Sequence, residues 1–441
     1  MEIGLFNYNH TIIESAYLET NNSKMDIVKN IISYEFTESI FSYTMYGTII
    51  INDNADLLNK NYFKFNGEEK ITITVKNLEN NVFTYTWILA DVELENKNTM
   101  ADNAIVVISL VTKDFFKNSY TFRSKGYIKS NRTEVIRRIL KEELKSEVPH
   151  NTLFFDFDTR QETSFAFTKI RPFEKIDILV QQMFDDRSDG LPVSTYVFFE
   201  DRYGYNLVSF EKIMNQSQSK NEKTFIYSQN MAGNKFSDPL FNGIKSFESS
   251  NRNNNLNKII NGLYFSEVYR FDFTTKRITV EKYSLKDDKD KFAKLAGDNS
   301  NLTNTTDNFL DDVEKYGKYT YFIPWDSSRQ IQDLTYKHFQ YSKQFLYLLE
   351  ENTLNIFIDG TLSIRLGDPI ITKIWKNSNK NEIEENLDDR YSGKFIVQSL
   401  TNTIYRGSQI GTFVHDTSVS LTRDTNVDSN KIKDDENRNT G

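Results

Sequence analysis

The chain has 441 residues, 34 Phe and 24 Tyr, no cysteine and a formal net charge of -8. It is longer than the roughly 250–300 residues at which a single core stops growing, so more than one domain is expected. The lack of cysteine excludes disulfides, zinc–thiolate sites and thiol catalysis, and the acidic balance, with no basic face standing out, argues against a protein that grips phosphate backbones.

The lead, Met1 to Tyr17, lacks the basic and apolar regions of a signal peptide, and no window approaches the ~18 apolar residues of a membrane span. A turn at Met25 to Ile32 precedes β-branched and aromatic residues from Ser33 to Ile51, with Gly47 expected as a bulge and Asn52-Asp53-Asn54 ending the strand. After an apolar plug at Leu57 and Leu58, a turn at Gly67-Glu68-Glu69 leads into Ile71, Ile73 and Val75 alternating with polar residues. Val82 to Leu94 and Ala104 to Thr112 complete an all-β domain over residues 1–118.

Helical spacing then appears at Val135, Ile136, Ile139, Leu140 and Leu144, with Asn131 and Glu134 in a capping arrangement. A second helix is expected from Pro172, with Phe173, Ile176, Leu179, Val180, Met183 and Phe184 on its buried stripe. Strands at Leu153 to Phe157, Val193 to Phe199 and Leu207 to Phe210, the last entered by a turn at Tyr203-Gly204-Tyr205, make this a mixed α+β region. Leu263 to Phe273 and Arg277 to Tyr283 read as a hairpin about Thr274-Thr275. Lys286 to Asp312 reads as a charged loop, and Pro324-Trp325-Asp326 precedes a helix carrying Ile331, Leu334, His338, Tyr341, Phe345 and Leu349 on one face.

The stretch Thr353 to Arg423 carries the strongest β grammar. Leu354, Ile356 and Ile358 run into Asp359-Gly360, which predicts a tight hairpin with a return strand at Leu362, Ile364 and Leu366. Gly367-Asp368-Pro369 punctuates that strand before Ile370 to Trp375. Phe395 to Leu400 and a final strand with His415, Thr417, Val419 and Leu421 on one face follow a polar run. Residues 426–441 are almost wholly polar and are expected to be disordered.

Chemical motifs are sparse. The four histidines, His10, His150, His338 and His415, show no metal-ligand spacing, so no metal or cofactor is expected. Gly407-Ser408-Gln409-Ile410-Gly411 does not have the order of a nucleophile elbow and reads as a turn. Asp156 and Asp158 share one face of a strand but lack a third partner, and Asp287-Asp288-Lys289-Asp290 lacks the glycine and terminal Glu of a calcium loop.

Several runs, in one collinear order, resemble the central baseplate hub protein of contractile-tail bacteriophages, a tail-tube-like hub related to the hub portion of type VI secretion spike proteins. They are Glu38-Ser39-Ile40, Gly47 to Asp53, Leu57-Leu58 and Gly67 to Ile73, then Arg171-Pro172-Phe173 and Val197 to Asp201 before Gly204. Glu351 to Leu354, Leu366-Gly367-Asp368 and Ser392 to Ser399 continue the series. The resemblance implies a β-dominated α+β fold with two tail-tube-like antiparallel barrel or sandwich domains: residues 1–118, and 206–285 with 353–425. Residues 119–205 and 286–352 would form a mixed α+β middle region. It further implies a non-enzymatic homotrimer in the tail baseplate of a virion, made in the host cytoplasm. Three chains would present six similar units, joining a hexameric tail tube to a trimeric central spike around a channel for DNA. The implied partners are the spike and a tube or tube-initiator protein, with tape-measure and baseplate wedge proteins beyond them, and neither membrane nor specific nucleic acid. An internal echo supports two similar domains: Gly67 to Thr72 and Gly367 to Thr372 share a glycine, an acid and then Ile-Thr at the same offset. The expected structural turns are Gly47, Asp53, Gly67, Glu68, Gly360, Gly367 and Asp368. A receptor- or carbohydrate-binding virion protein, and behind it a cell-wall hydrolase, are the alternatives.

Overall fold

The computed structural model describes residues 11–20, 23–53, 69–76, 82–95, 104–155, 163–183, 195–217, 222–227, 243–251, 255–288, 306–316, 319–325, 342, 346, 349, 352–375, 387–388, 390–407 and 413–424. Strands dominate, and the largest feature is a 13-stranded sheet. From one edge its path runs Ile244–Asn251, Asn352–Asp359, Phe413–Arg423, Gly393–Arg406, Ile31–Ser39, Tyr46–Asp53, Ala104–Thr112, Val82–Glu95, Lys70–Lys76, Ile12–Glu19 and Lys24–Asp26. Neighbours along this path are antiparallel. Pro369–Ile374 pairs with Gly393–Arg406 and, in parallel, with Lys223–Tyr227. The fold is therefore a β-dominated α+β fold.

Alternation accounts for the strands. Ile71, Ile73 and Val75 are fully buried while Lys70, Thr72 and Thr74 face outward, as the period of two requires. His415, Thr417, Val419 and Leu421 likewise share the buried face of the last strand. The hairpin about Thr274-Thr275 forms with Phe265–Asp272 against Arg277–Ser284.

Three hydrophobic cores lie in and beside the sheet. One gathers the inner faces of the strands between residues 13 and 110 and takes Leu362, Ile404 and Phe413 from beyond them. A second draws on Ile40, Val197, Phe199, Ile213, Tyr264, Leu310, Val313 and Leu349 as well as the strands after Asn352. The third belongs to the middle region, where Val135, Ile136, Leu140, Phe173, Ile176 and Leu179 pack on Tyr127, Phe167, Phe198 and Leu207. Its helices begin as their sequence signals direct. Asn131 Oδ1 accepts from the Thr133 amide at 2.8 Å, and Pro172 opens the helix Pro172–Gln181. The first helix, Arg132–Arg138, continues as a π-helical turn at Ile139–Leu144.

Three expectations are corrected. No return strand follows Asp359-Gly360, because Asn352–Asp359 is already paired on both edges, by Ile244–Asn251 and Phe413–Arg423. The segment 360–368 instead crosses between cores, giving Leu362 to the first and Ile364 and Leu366 to the second. Gly47 is not a bulge: it sits in register between Phe36 and Leu110, and the irregularity falls between Ile31 and Ser33 on the partner strand. Within the run 286–312 read as loop, Leu285–Asp288 and Asp307–Tyr316 are helical. Leu310 and Val313 at helical spacing provide the buried stripe that stabilises the second of these. The helices Lys113–Tyr120 and Phe210–Ser217 were not foreseen, both being short and following directly on strands. Leu57, Leu58, Gly67, Glu68, Phe184, Ile331, Leu334, His338, Tyr341, Phe345 and the tail 426–441 lie outside the described residues.

Candidate functional site: the junction of the two sheet halves

The two halves of the great sheet meet where Ile31–Ser39 pairs with Gly393–Arg406, from Ser39 opposite Ser399 to Ser33 opposite Tyr405. On one face of this seam Thr37 and Thr401 hydroxyls bond at 3.0 Å, and Thr403 donates to Glu35 at 3.1 Å. On the other face, Glu38 points inward and is 1% exposed.

Glu38 is met by the tight turn between Tyr196–Asp201 and Gly204–Ser209. The Arg202 amide donates to Glu38 Oε1 at 2.7 Å, its Nε to the same oxygen at 3.1 Å and its Nη2 to Oε2 at 2.5 Å. Nη1 donates to the Leu362 carbonyl at 2.7 Å, so one guanidinium ties together the first half, the middle region and the crossing segment. Burial acts to lower the Arg202 pKa, but the adjacent Glu38 carboxylate outweighs it and holds the group above its ordinary value. Both side chains are essentially inaccessible, so the pair persists through its multiple charge-assisted bonds.

The same turn makes a second link. Asp201 Oδ2 accepts from Arg365 at 3.0 Å, while Oδ1 accepts from the Tyr203 amide at 2.8 Å and closes the turn. Arg365 also lies 4.0 Å over the Tyr203 ring, which packs edge-on against Phe83 of the first half. Gly204 has a φ of +128°, and a Cβ there would stand 2.1 Å from the Pro149 carbonyl oxygen. Glycine is the residue that fits.

Glu200, the residue before these, is buried beside Asp114 and accepts from the Met45 amide at 3.4 Å. Burial first, then the charges of Asp114, Asp201 and Glu38, push its carboxyl up to about 8. At neutral pH it is mostly the uncharged acid. Beyond it, His415 is fully buried, with Thr11 Oγ1 at 2.7 Å from Nδ1 and Asn402 Oδ1 at 3.0 Å from Nε2. Asn402 Oδ1 can only accept, so Nε2 carries the proton and Nδ1 accepts from Thr11. Burial and then the nearby Arg202 lower this imidazole to about 3, which fixes it as a neutral bracket rather than a base.

Of the expected turn residues, Gly360, Gly367 and Asp368 lie at this junction, while Gly67 and Glu68 lie outside the described residues. Asp368 Oδ2 accepts from the Arg365 amide at 2.9 Å, and Gly367, at φ +79°, donates to the Val397 carbonyl at 2.9 Å. Gly360 donates to the His415 carbonyl at 2.8 Å, and a Cβ on it would meet the His415 ring at 2.1 Å. Gly47 lies further along the first half, where a Cβ would approach Glu35 O to 2.6 Å, and Asp53 is buried as the last residue of its strand. The family-like runs Glu38-Ser39-Ile40, Val197 to Asp201 and Leu366-Gly367-Asp368 are thus brought to one junction. Arg202, Tyr203 and Arg365 were missed as site residues; the signal was an Asp-Arg-Tyr-Gly turn between two apolar strands.

Among the described residues no group of three or more His, Asp or Glu could hold a metal ion. Asp287 and Asp288 end a short helix, and His150 begins a strand with its pKa lowered by burial and by Arg137. Asp156, Asp158, His10 and Ser408 to Gly411 lie outside the described residues. No described helix is long and apolar enough to cross a membrane.

No protein-family model matches the sequence, and no curated protein matches it. Solved structures do. The tail protein from Neisseria meningitidis MC58 superposes with a TM-score of 0.53 at 8% identity, over 93% of this chain and 96% of that one. The chain has a tail-protein fold. The prophage MuSo2 43 kDa tail protein from Shewanella oneidensis gives a TM-score of 0.49 at 10% identity, over 93% and 97% of the two chains. An E. coli component of the type VI secretion system, described as similar to T4 bacteriophage tail proteins, gives 0.42 at 8% identity over 92% and 76%. Within the tail-protein fold, the junction is the point at which the three cores are fastened together.

Proposed function

We propose that the protein is the structural baseplate hub of a contractile phage tail. It would form a homotrimeric ring of pseudo-sixfold symmetry that joins a hexameric tube to a trimeric central spike and leaves a channel for DNA. The observation that carries the reading is the single sheet shared by two halves across the Ile31–Ser39 and Gly393–Arg406 seam, since three copies of a two-part sheet supply six wall segments. The first half of the sheet lies within a tube-like domain of 1–118, and the second lies within one of 206–285 with 353–425, with residues 119–205 and 286–352 as the middle region. Sheet edges at Lys24–Asp26 and Ile244–Asn251 are the kind of surface a ring of copies covers. The role is non-enzymatic and the location is the virion tail, with spike, tube or tube-initiator, tape-measure and wedge proteins as neighbours. Native mass spectrometry of the protein co-expressed with its spike tests this: three copies per spike trimer is the expected count, and one or two would overturn it.

A receptor-binding role has one observation in its favour. Phe271, Phe273, Ile278 and Val280 form an exposed apolar patch on the hairpin Phe265–Ser284, between 40% and 61% exposed. Particles that assemble normally but fail to adsorb to cells when Phe273 and Ile278 are replaced by Ser would favour it.

A further inference from the structure

The whole-chain charge conceals a strongly basic stretch. Between residues 115 and 141 there are eight Lys and Arg against the single acid Glu134, leaving 46 bases against 61 acids in the rest of the chain. Part of this charge is consumed internally. Lys117 caps the Leu144 carbonyl at 2.8 Å, Lys125 pairs with Glu142, and Arg132 is buried over Phe165. Arg123 and Lys129, with Lys169 on the adjoining strand, are exposed and make no ion pair among the described residues.

These three cations sit on a two-stranded ribbon, Arg123–Ser130 against Thr163–Ile170. Its strands repeat one pattern: Ser124, Gly126, Tyr127 and Lys129 match Ser164, Ala166, Phe167 and Lys169 in spacing. Gly126 pairs with Ala166 at the centre. The Lys129 amide donates to Ser164 Oγ at 3.3 Å, and the Lys169 amide to Ser124 Oγ at 3.0 Å. Lys129 and Lys169 have φ of +45° and +49°, the left-handed region that glycine adopts freely and a residue with a side chain adopts at a cost. Lysine at both positions places a cation at each end of a ribbon whose middle is small, beside Ile128, which is 78% exposed.

The complementary chemistry is on the same chain. The helix Asp307–Tyr316 carries Asp307, Asp311, Asp312 and Glu314 against Lys315, and its Tyr316 is 74% exposed. Asp311 is tied to Lys286 at 2.7 Å, while Asp312 and Glu314 make no ion pair among the described residues. We infer that the ribbon of one copy docks on the acidic helix of the next, a head-to-tail contact of the kind that closes a ring. This rests on the trimeric reading above. Opposite charges steer and register such a contact, with Ile128 and Tyr316 supplying apolar area.

The cysteine-free sequence permits a direct test. Chains bearing only Lys129→Cys and chains bearing only Asp312→Cys are co-expressed with the spike and treated with a short bismaleimide. A covalent dimer in the mixture, absent from either chain alone, is expected, and a covalent trimer when both cysteines are in one chain. Ile128→Cys replaces Lys129→Cys if the latter misfolds. In parallel, Lys129→Glu with Lys169→Glu should weaken trimer formation at least tenfold, and Asp312→Lys with Glu314→Lys in the same chain should restore it. A trimer by mass that neither cross-links nor responds to charge reversal overturns this contact and leaves the hub intact. A monomer by mass, alone and with the spike, removes the trimeric reading and this contact with it.

Discussion

The two halves of the sheet are built from similar strands but close in opposite ways. The first half packs strands drawn from one sequence span, from Ile13 to Leu110, and among the described residues borrows only Leu362, Ile404 and Phe413 from beyond it. The second assembles Ile40, Val197, Ile213, Tyr264 and Leu310 around strands that begin at Asn352, so its core is closed over hundreds of residues. Long closures are costly in entropy and form late, whereas pairings confined to about one hundred consecutive residues close shorter loops and can form by themselves. The difference predicts unequal dependence on the junction: the first half should survive its loss and the second should not.

The largest effect should come from Arg202→Ala, which strips the guanidinium partner from Glu38 at 1% exposure and should cost about 3–5 kcal/mol. Calorimetry should then resolve two transitions, the earlier one belonging to the second half. Replacing the pair together, Glu38→Gln with Arg202→Met, should recover much of the loss. A single unshifted transition in Arg202→Ala would mean that the junction does not couple the halves.

Next is the pH dependence set by Glu200. Its folded-state pKa, about 8, lies above the ordinary 4.5, so the folded state holds a proton that the unfolded state releases across that window. Stability from this group is full below the unfolded value and falls as pH rises toward 8, by roughly 1.4 kcal/mol per unit, then levels. Melting temperatures between pH 5 and 9 should show this slope in the native chain and a flatter profile in Glu200→Gln. An equally steep profile in Glu200→Gln would assign the slope to other groups.

Gly360→Ala sharpens the comparison from the connector's side. The added Cβ would overlap the His415 ring, so the crossing segment must shift, at about 1–3 kcal/mol, and Leu362 must leave the first core with it. Protease digestion should nick the region near residue 360 first. The smallest effect is expected from Lys245→Ala at the rim of the second half, where Lys245 pairs with Asp359 at 2.7 Å and Asp416 at 2.5 Å but is 43% exposed. Its loss should cost under about 1 kcal/mol, with salt dependence to match, as read from denaturant midpoints.

What the sequence by itself determined is what depends on near neighbours. The alternation of Ile71, Ile73 and Val75, the Asn131 cap, the Pro172 start and the hairpin at Thr274-Thr275 are all set by residues within a few positions of one another. Asp359-Gly360 carried an equally strong local signal for a hairpin, and there the tertiary structure prevailed, because both edges of Asn352–Asp359 were already taken by distant strands. The pairing of Glu38 with Arg202, 164 residues away, and of Arg365 with Asp201, another 164, was equally beyond local pattern. A charged residue on a strand reads as solvent-facing until a partner across the fold removes it from water. The basic ribbon stood in plain sequence but was averaged away by the net charge, and only the folded arrangement separates the cations already spent on internal partners from those left facing outward.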